Sequence, residues 1–218
     1  MKREIDKLKR MLMSLCEVVE QSLRKAVSSI KERNAELAKN VIDADVDIDH
    51  MEVDIEEECL KLLALYQPVA IDLRFIITAL KINNDLERIG DLAVNLAERS
   101  VFLAGRQWGE IPLGFETMAE KTESMLRRSL EALVNMDSKL AYEVCAADDE
   151  VDAMNRQIYS VIQNAIPTHP EQADCLIHLL SASRHLERVA DHATNIAEDV
   201  IYMIEGRIVR HQAENYTS

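Results

Sequence analysis

An internal repeat constrains the fold of this chain more than any other feature. The segment LERIGDLAVNLAE at residues 86–98 returns as LERVADHATNIAE at residues 186–198, an offset of 100 residues. Upstream the offset is 103 residues, which pairs Asn34 with Asp137. Self-similarity of this kind indicates a duplicated structural unit. We therefore expect two copies of one fold, the second with three fewer residues at an internal turn.

Each copy has the pattern of three amphipathic helices. Apolar residues recur at three- and four-residue spacing from Leu8 to Ile30 and again after Leu37, the period of a helix with one buried face. Asn34 fits an N-cap, and Pro68 fits the first turn of a third helix. Only 5 glycines and 4 prolines interrupt the 218 residues. The predicted fold is all-α: two tandem antiparallel three-helix bundles, with helices of about 25 to 35 residues.

The clearest linker signal separates the two copies. Three of the five glycines and one proline fall between Ala104 and Gly114, and such residues mark turns and loops. The predicted units are a first bundle at residues 1–105, a linker at 106–112, a second bundle at 113–208 and a flexible tail at 209–218.

The composition excludes several classes of protein. The chain has 25 Lys plus Arg against 39 Asp plus Glu, a net charge of −14. This excess argues against binding to nucleic acid and to anionic membrane surfaces. Neither a signal peptide nor an apolar run of the ~20 residues needed for a membrane span is present, so we expect a cytoplasmic protein without direct membrane insertion. Without a Gly-rich phosphate loop or a G-x-S-x-G motif, we expect no enzyme.

Acidic pairs at four-residue spacing are the best candidates for a functional site. Asp45 and Asp49 share one helical face, as do Glu87 and Asp91, because residues four apart are neighbours on a helix. The second copy repeats both pairs as Asp148, Asp152, Glu187 and Asp191. Each pair follows core positions by one residue, so the pairs can meet in a groove between helices. Hard cations with oxygen ligands, such as iron, manganese, magnesium or calcium, would offset the repulsion, and zinc would do so with less preference.

Two alternatives stay open for these polar residues. Solvated acidic faces, balanced in part by Arg88 and Arg188, account for the pairs without a metal. Recurrence in both copies favours a metal, although duplication also preserves residues without a function. His185 and His192 are either auxiliary ligands or, as we favour, exposed polar residues. The Glu-x-x-His pairs of four-helix di-iron proteins are missing.

Several motifs together resemble the PhoU-type regulators of bacterial phosphate uptake. They are QPVAIDLR at residues 67–74, KINNDLERIGD at residues 81–91 and the two copies of E-x-x-x-D. The resemblance covers nearly the whole chain and implies two three-helix bundles with pseudo-twofold symmetry and multinuclear metal sites on their surface. It implies one site at Asp45, Asp49, Glu87 and Asp91 and another at Asp148, Asp152, Glu187 and Asp191. Iron is the first expectation, with zinc, manganese, magnesium or calcium as alternatives.

The resemblance also implies a function that depends on association rather than turnover. It implies a negative regulator of phosphate uptake and of the phosphate regulon, an adaptor between the ATPase subunit of a phosphate ABC transporter and a sensor histidine kinase. Such a protein would sit at the inner face of the cell membrane through its partners, and its long helical faces are compatible with a homodimer. The alternative is a carboxylate-rich protein that stores or buffers metal. Glu52 and Glu56 become Asn155 and Tyr159 in the second copy, which predicts a weaker or smaller metal cluster there.

Overall fold

The computed structural model describes residues 1–106, 109 and 114–209, and this part of the chain is helical without strands. Its six α-helices are α1 (Lys2–Lys31), α2 (Ala35–Tyr66), α3 (Ala70–Ala104), α4 (Phe115–Asn135), α5 (Ser138–Ala165) and α6 (Ala173–Glu205). The all-α prediction is confirmed, although α4, with 21 residues, is shorter than expected. Most of the predicted linker and tail lie outside the described residues, but Val209 is buried.

Helix caps reproduce the duplication that the sequence predicts. Asn34 caps α2 and Asp137 caps α5, each accepting a hydrogen bond on Oδ1 from a backbone N–H three residues later, at 3.0 Å. Such caps satisfy N–H groups that have no partner inside the helix. Pro68 departs from the prediction: α3 has Val69 as its N-cap, so the proline precedes the helix instead of occupying its first turn.

Each half of the chain packs three helices around an apolar stripe, and α3 lies against α6 to join the halves. Lys81 of α3 contacts Asp199 of α6, while Phe102 stacks on His178, so these two helices run antiparallel. The apolar positions predicted for α1, from Leu8 to Ile30, are buried except Met11 and Val18, which are half-buried. None of the helices within the described residues is both long and apolar enough to cross a membrane.

Polar side chains are buried along the contact between α3 and α6. Lys81 Nζ lies 3.2 Å from Asp199 Oδ1, and the Asp199 side chain is only 2% exposed. Further along, Asp85 Oδ1 lies 2.8 Å from His192 Nδ1 and accepts a hydrogen bond from Asn195 Nδ2 at 3.3 Å. Because buried polar groups are costly without partners, these contacts fix the register of one half against the other.

Candidate metal centre

The four acidic residues predicted in the first half meet in the groove between α2 and α3. Burial, followed by the charges of Asp49 and Asp91, raises the pKa of Asp45 to about 6. Burial also raises the pKa of Glu87, with Asp91 as the next cause. Carboxylates affect one another in this way only when they lie close together. Asp45, Asp49, Glu87 and Asp91 are called the first cluster below.

The second half builds the same arrangement between α5 and α6. Burial, followed by the charges of Asp191 and Asp152, raises the pKa of Asp148 to about 6. The pKa of Asp191 is raised by burial and then by Asp152, and that of Glu187 by burial, Asp191 and Asp152. These four residues, Asp148, Asp152, Glu187 and Asp191, form the second cluster. The carboxylates that influence one another are those that the sequence spacing singled out in both halves, while their role as metal ligands stays a prediction.

A glycine brings α2 and α3 close together beside the first cluster. A methyl group added at Gly90 would lie 3.2 Å from both Cδ1 and Cγ2 of Ile48 and 3.5 Å from Asp45 Oδ1. In the second half the equivalent buried pair is Val151 and Ala190, so the methyl group gained at one position is lost at the other. Since protein interiors are close-packed, the two pairs fill the same space in different ways.

This exchange predicts a coupling between Gly90 and Ile48. Gly90→Ala gains helix propensity but presses on Ile48, whereas Ile48→Val removes Cδ1, one of the two obstructing methyl groups. We expect Gly90→Ala to be more favourable by about 1 kcal/mol in the Ile48→Val background than in the wild type. Urea unfolding of the wild type, both single variants and the double variant measures this difference. Strictly additive effects would contradict the proposed packing.

Arginine side chains already balance part of the charge in both clusters. Arg88 Nε lies 3.2 Å from Glu87 Oε2, and its Nη1 lies 3.1 Å from Asp91 Oδ2. In the second cluster Arg156 Nη1 lies 3.4 Å from Asp152 Oδ2. Nowhere in residues 1–106, 109 and 114–209 are three or more His, Cys, Asp or Glu side chains gathered so that they could hold a metal ion as they stand. Metal ligation therefore requires these side chains to move, and Arg88 would compete with a cation for Glu87 Oε2 and Asp91 Oδ2.

The chemistry of the donor set nevertheless fits a hard cation. Every candidate ligand in both clusters is a carboxylate oxygen, the ligand type that iron, manganese, magnesium and calcium accept. Asp45 and Asp148 also hold their negative charges at an energetic cost, which their raised pKa values express. A bound cation would relieve that cost, because it neutralises charges that burial and mutual repulsion disfavour.

An amide contact that sequence reasoning missed extends each cluster along its groove. Asn83 Nδ2 donates to the backbone oxygen and to Oε1 of Glu52, at 3.0 and 3.1 Å. At the equivalent place Ser183 Oγ donates to Asn155 Oδ1 at 2.9 Å. The pKa of Glu52 is raised by burial and by its acidic neighbours, so Glu52 belongs to the electrostatic surroundings of the first cluster. The KINNDLERIGD motif, which contains Asn83, was the sequence feature that could have indicated this contact.

The favoured expectation for His185 and His192, that both are exposed, is wrong. The His192 side chain is 18% exposed and contacts Asp85 of α3 through Nδ1. His185 is partly buried, with Nε2 lying 3.3 Å from Ser181 Oγ, and burial lowers its pKa. The physical reason is that α6 packs against α3 as well as α5, so it has two buried faces.

Comparison with known proteins agrees with this duplicated architecture. The PhoU domain family matches twice, at residues 12–100 and 115–200. The chain belongs to the PhoU family. It is 38% identical over 210 residues to the "phosphate-specific transport system accessory protein PhoU homolog" of Aquifex aeolicus, covering 96% of this chain and 95% of the relative. PhoU homolog 1 of Thermotoga maritima is 35% identical, with 94% and 89% covered.

Solved PhoU structures share the fold. The crystal structure of PhoU from Pseudomonas aeruginosa superposes with a TM-score of 0.90 at 33% identity, covering 94% of this chain and 99% of that one. The phosphate transport system regulatory protein PhoU from Streptococcus pneumoniae gives a TM-score of 0.85 at 28% identity, with 95% and 98% covered. Both the all-α prediction and the resemblance to PhoU are thereby confirmed.

Proposed function

We propose that this PhoU-family chain is an accessory protein of a phosphate-specific transport system and a negative regulator of phosphate uptake. In this role it connects the ATPase subunit of the transporter to a sensor histidine kinase at the inner face of the membrane. The names of the relatives support the transport role, because they match over nearly their whole length. The chain acts by association: its distinctive chemistry lies in grooves on a helical scaffold, not in a catalytic arrangement.

The duplicated carboxylate clusters are the observation that carries the metal-binding part of the proposal. In both halves one aspartate, Asp45 or Asp148, has its pKa raised to about 6 by burial and by the two equivalent neighbours. We assign multinuclear cation sites to both clusters, iron first, with manganese, magnesium, calcium or zinc as alternatives. A cation in either groove would tie α2 to α3 or α5 to α6 and so stiffen the surface offered to partners.

Deletion of the gene tests the regulatory role directly. We expect phosphate-regulated transcription to rise in phosphate-rich medium when the chain is absent, because a negative regulator has been removed. A wild-type copy restores repression, and the tagged chain co-purifies with the transporter ATPase subunit in a phosphate-dependent manner. Reporter expression and affinity purification measure these outcomes.

Variants of the first cluster connect the metal to the regulation. Asp45→Asn with Asp91→Asn should weaken repression, whereas Asp43→Asn, an exposed aspartate on the same helix, should leave it unchanged. If deletion leaves transcription unaltered while cation loading of the chain follows cellular metal, the metal-storage alternative replaces the regulator.

A further inference from the structure

Large apolar side chains face water at the turn between α2 and α3. The exposed residues are Leu65, Tyr66, Val69, Ile71 and Leu73, of which Val69 is 73% and Ile71 71% exposed. Pro68, in the middle of the turn, is buried, so the turn is anchored to the bundle while its neighbours point outward. Isolated exposed apolar residues are ordinary, but a contiguous group indicates an interaction surface. We call these five residues the α2–α3 tip.

The second half provides an internal comparison, although its connection between α5 and α6 is built differently and includes a 3₁₀ helix at Pro170–Gln172. Thr168 stands in place of Leu65, and Glu171 stands in place of Ile71. Both turns connect the second and third helices of a duplicated three-helix unit. The second half therefore does without apolar side chains at these two positions, and the exposure of the α2–α3 tip calls for an explanation.

The start of α1, which carries a net positive charge, lies beside the α2–α3 tip. Lys7 Nζ lies 2.7 Å from Glu58 Oε2, and Lys9 Nζ lies 5.3 Å above the Phe75 ring, so α1 begins beside the end of α2 and the start of α3. Residues 1–10 carry five basic and two acidic side chains, in a chain whose net charge is −14. Lys2 and Arg3 are exposed, and within the described residues neither has an ion-pair partner.

We propose that the α2–α3 tip, together with Lys2 and Arg3, docks on an anionic lipid bilayer. Val69 and Ile71 enter the boundary between headgroups and acyl chains, and the basic side chains contact lipid phosphates. A lipid surface suits the end of a helical hairpin, because it yields to a small protruding apolar group. A stable protein interface instead needs about 800 Å² of complementary surface on each partner.

The carboxylates of the first cluster do not oppose this contact. Asp49 of the first cluster precedes the end of α2 at Tyr66 by 17 residues, or about 25 Å of helix. The Debye length at physiological ionic strength is only about 8 Å, so the cluster is screened from a bilayer at the tip. The charge is not uniform along the chain: residues 1–10 are basic, although the excess of acid over the whole sequence predicts no contact with anionic membranes. The contact needs no protein partner and so goes beyond the proposed function.

Flotation of the full chain with lipid vesicles tests the proposal. We expect binding when phosphatidylglycerol replaces half of the phosphatidylcholine, and little binding to phosphatidylcholine alone. Val69→Ser with Ile71→Ser should lower the partition coefficient roughly ten-fold or more, since two apolar side chains no longer leave water. Lys2→Gln with Arg3→Gln should lower it at low salt and flatten its salt dependence.

Matched variants elsewhere in the chain serve as controls. Ile177→Ser removes an apolar side chain that is 54% exposed near the opposite turn. Lys25→Gln with Lys39→Gln removes two exposed charges at the other end of the first bundle. Neither control should change binding. Equal binding of the tip variant and the wild type would overturn the proposal. Failure of the wild type to bind anionic vesicles would also overturn the proposal. If the wild type then self-associates and the tip variant does not, the occupant of the α2–α3 tip is a second copy of the chain.

Discussion

Replacing Asp45 and Asp148 with asparagine is expected to stabilise the metal-free protein by about 2 kcal/mol at pH 7. Burial and neighbouring carboxylates raise the pKa of each group from 3.8 to about 6, so the folded state holds each charge at a cost. Both groups are partly exposed, and solvent screening reduces the expected gain to about 1 kcal/mol each. Urea unfolding in the presence of a chelator measures the change.

The pH dependence of this gain has a definite sign. A carboxyl whose pKa is higher in the folded than in the unfolded state binds its proton more tightly when folded. The wild type therefore recovers the lost stability as the pH falls through 6, and recovery is complete below the unfolded value of about 4. The advantage of the double variant should shrink over the same interval.

Metal reverses the order of stability. Added iron or manganese should stabilise the wild type and should stabilise the Asp45→Asn, Asp148→Asn variant less, because each cluster has lost a ligand. As a control, Asp43→Asn with Asp149→Asn removes two exposed charges from the same helices and should change stability by less than about 0.5 kcal/mol. If the double variant is no more stable in chelator and gains as much from metal, the clusters are solvated acidic faces.

Lys81→Met should destabilise the protein by about 2 kcal/mol through the contact between its two halves. Asp199 is almost completely buried, and the substitution removes an ammonium group 3.2 Å from its carboxylate. Removing one partner of a buried ion pair costs more than the pair itself contributes, because the other charge stays desolvated. The expected value is below that of a fully buried pair since Lys81 is 39% exposed. Thermal and urea unfolding measure it.

Lys61→Met is the appropriate control for this prediction. Lys61 is 55% exposed and lies 3.6 Å from Glu58, which keeps Lys7 as a second partner at 2.7 Å. Its loss should cost less than about 0.5 kcal/mol, as is usual for exposed ion pairs. Equal effects of the two substitutions would show that the buried contact between α3 and α6 contributes no more than a surface pair.

The duplication and the acidic pairs could be predicted because they depend on local spacing. Four-residue spacing fixes which side chains share a helix face, and the 103-residue offset identified Asn34 and Asp137, which both cap helices. The contact of His192 with Asp85 could not be predicted in this way. It joins residues 107 positions apart, and its register depends on how α3 and α6 fit together.

The geometry around the first cluster could not be predicted from the sequence either. The bonds of Arg88 to Glu87 and Asp91 depend on rotamers that spacing does not determine. The close approach at Gly90 depends on the distance between α2 and α3, which is set by the side chains of both helices. The sequence does not show that Gly90 and Ile48 are in contact. Their exchange for a different pair in the second half can therefore be explained only with the structure.

The antiparallel packing of α3 on α6 allows the two ends of this duplicated molecule to differ. It sends the turn between α2 and α3 to one end of the molecule and its counterpart between α5 and α6 to the other. Two identical halves would have presented the same surface at both ends. Because the two turns differ in sequence, one molecule carries different surfaces at its two ends. An attachment at one end alone therefore needs neither a change of fold nor a second gene.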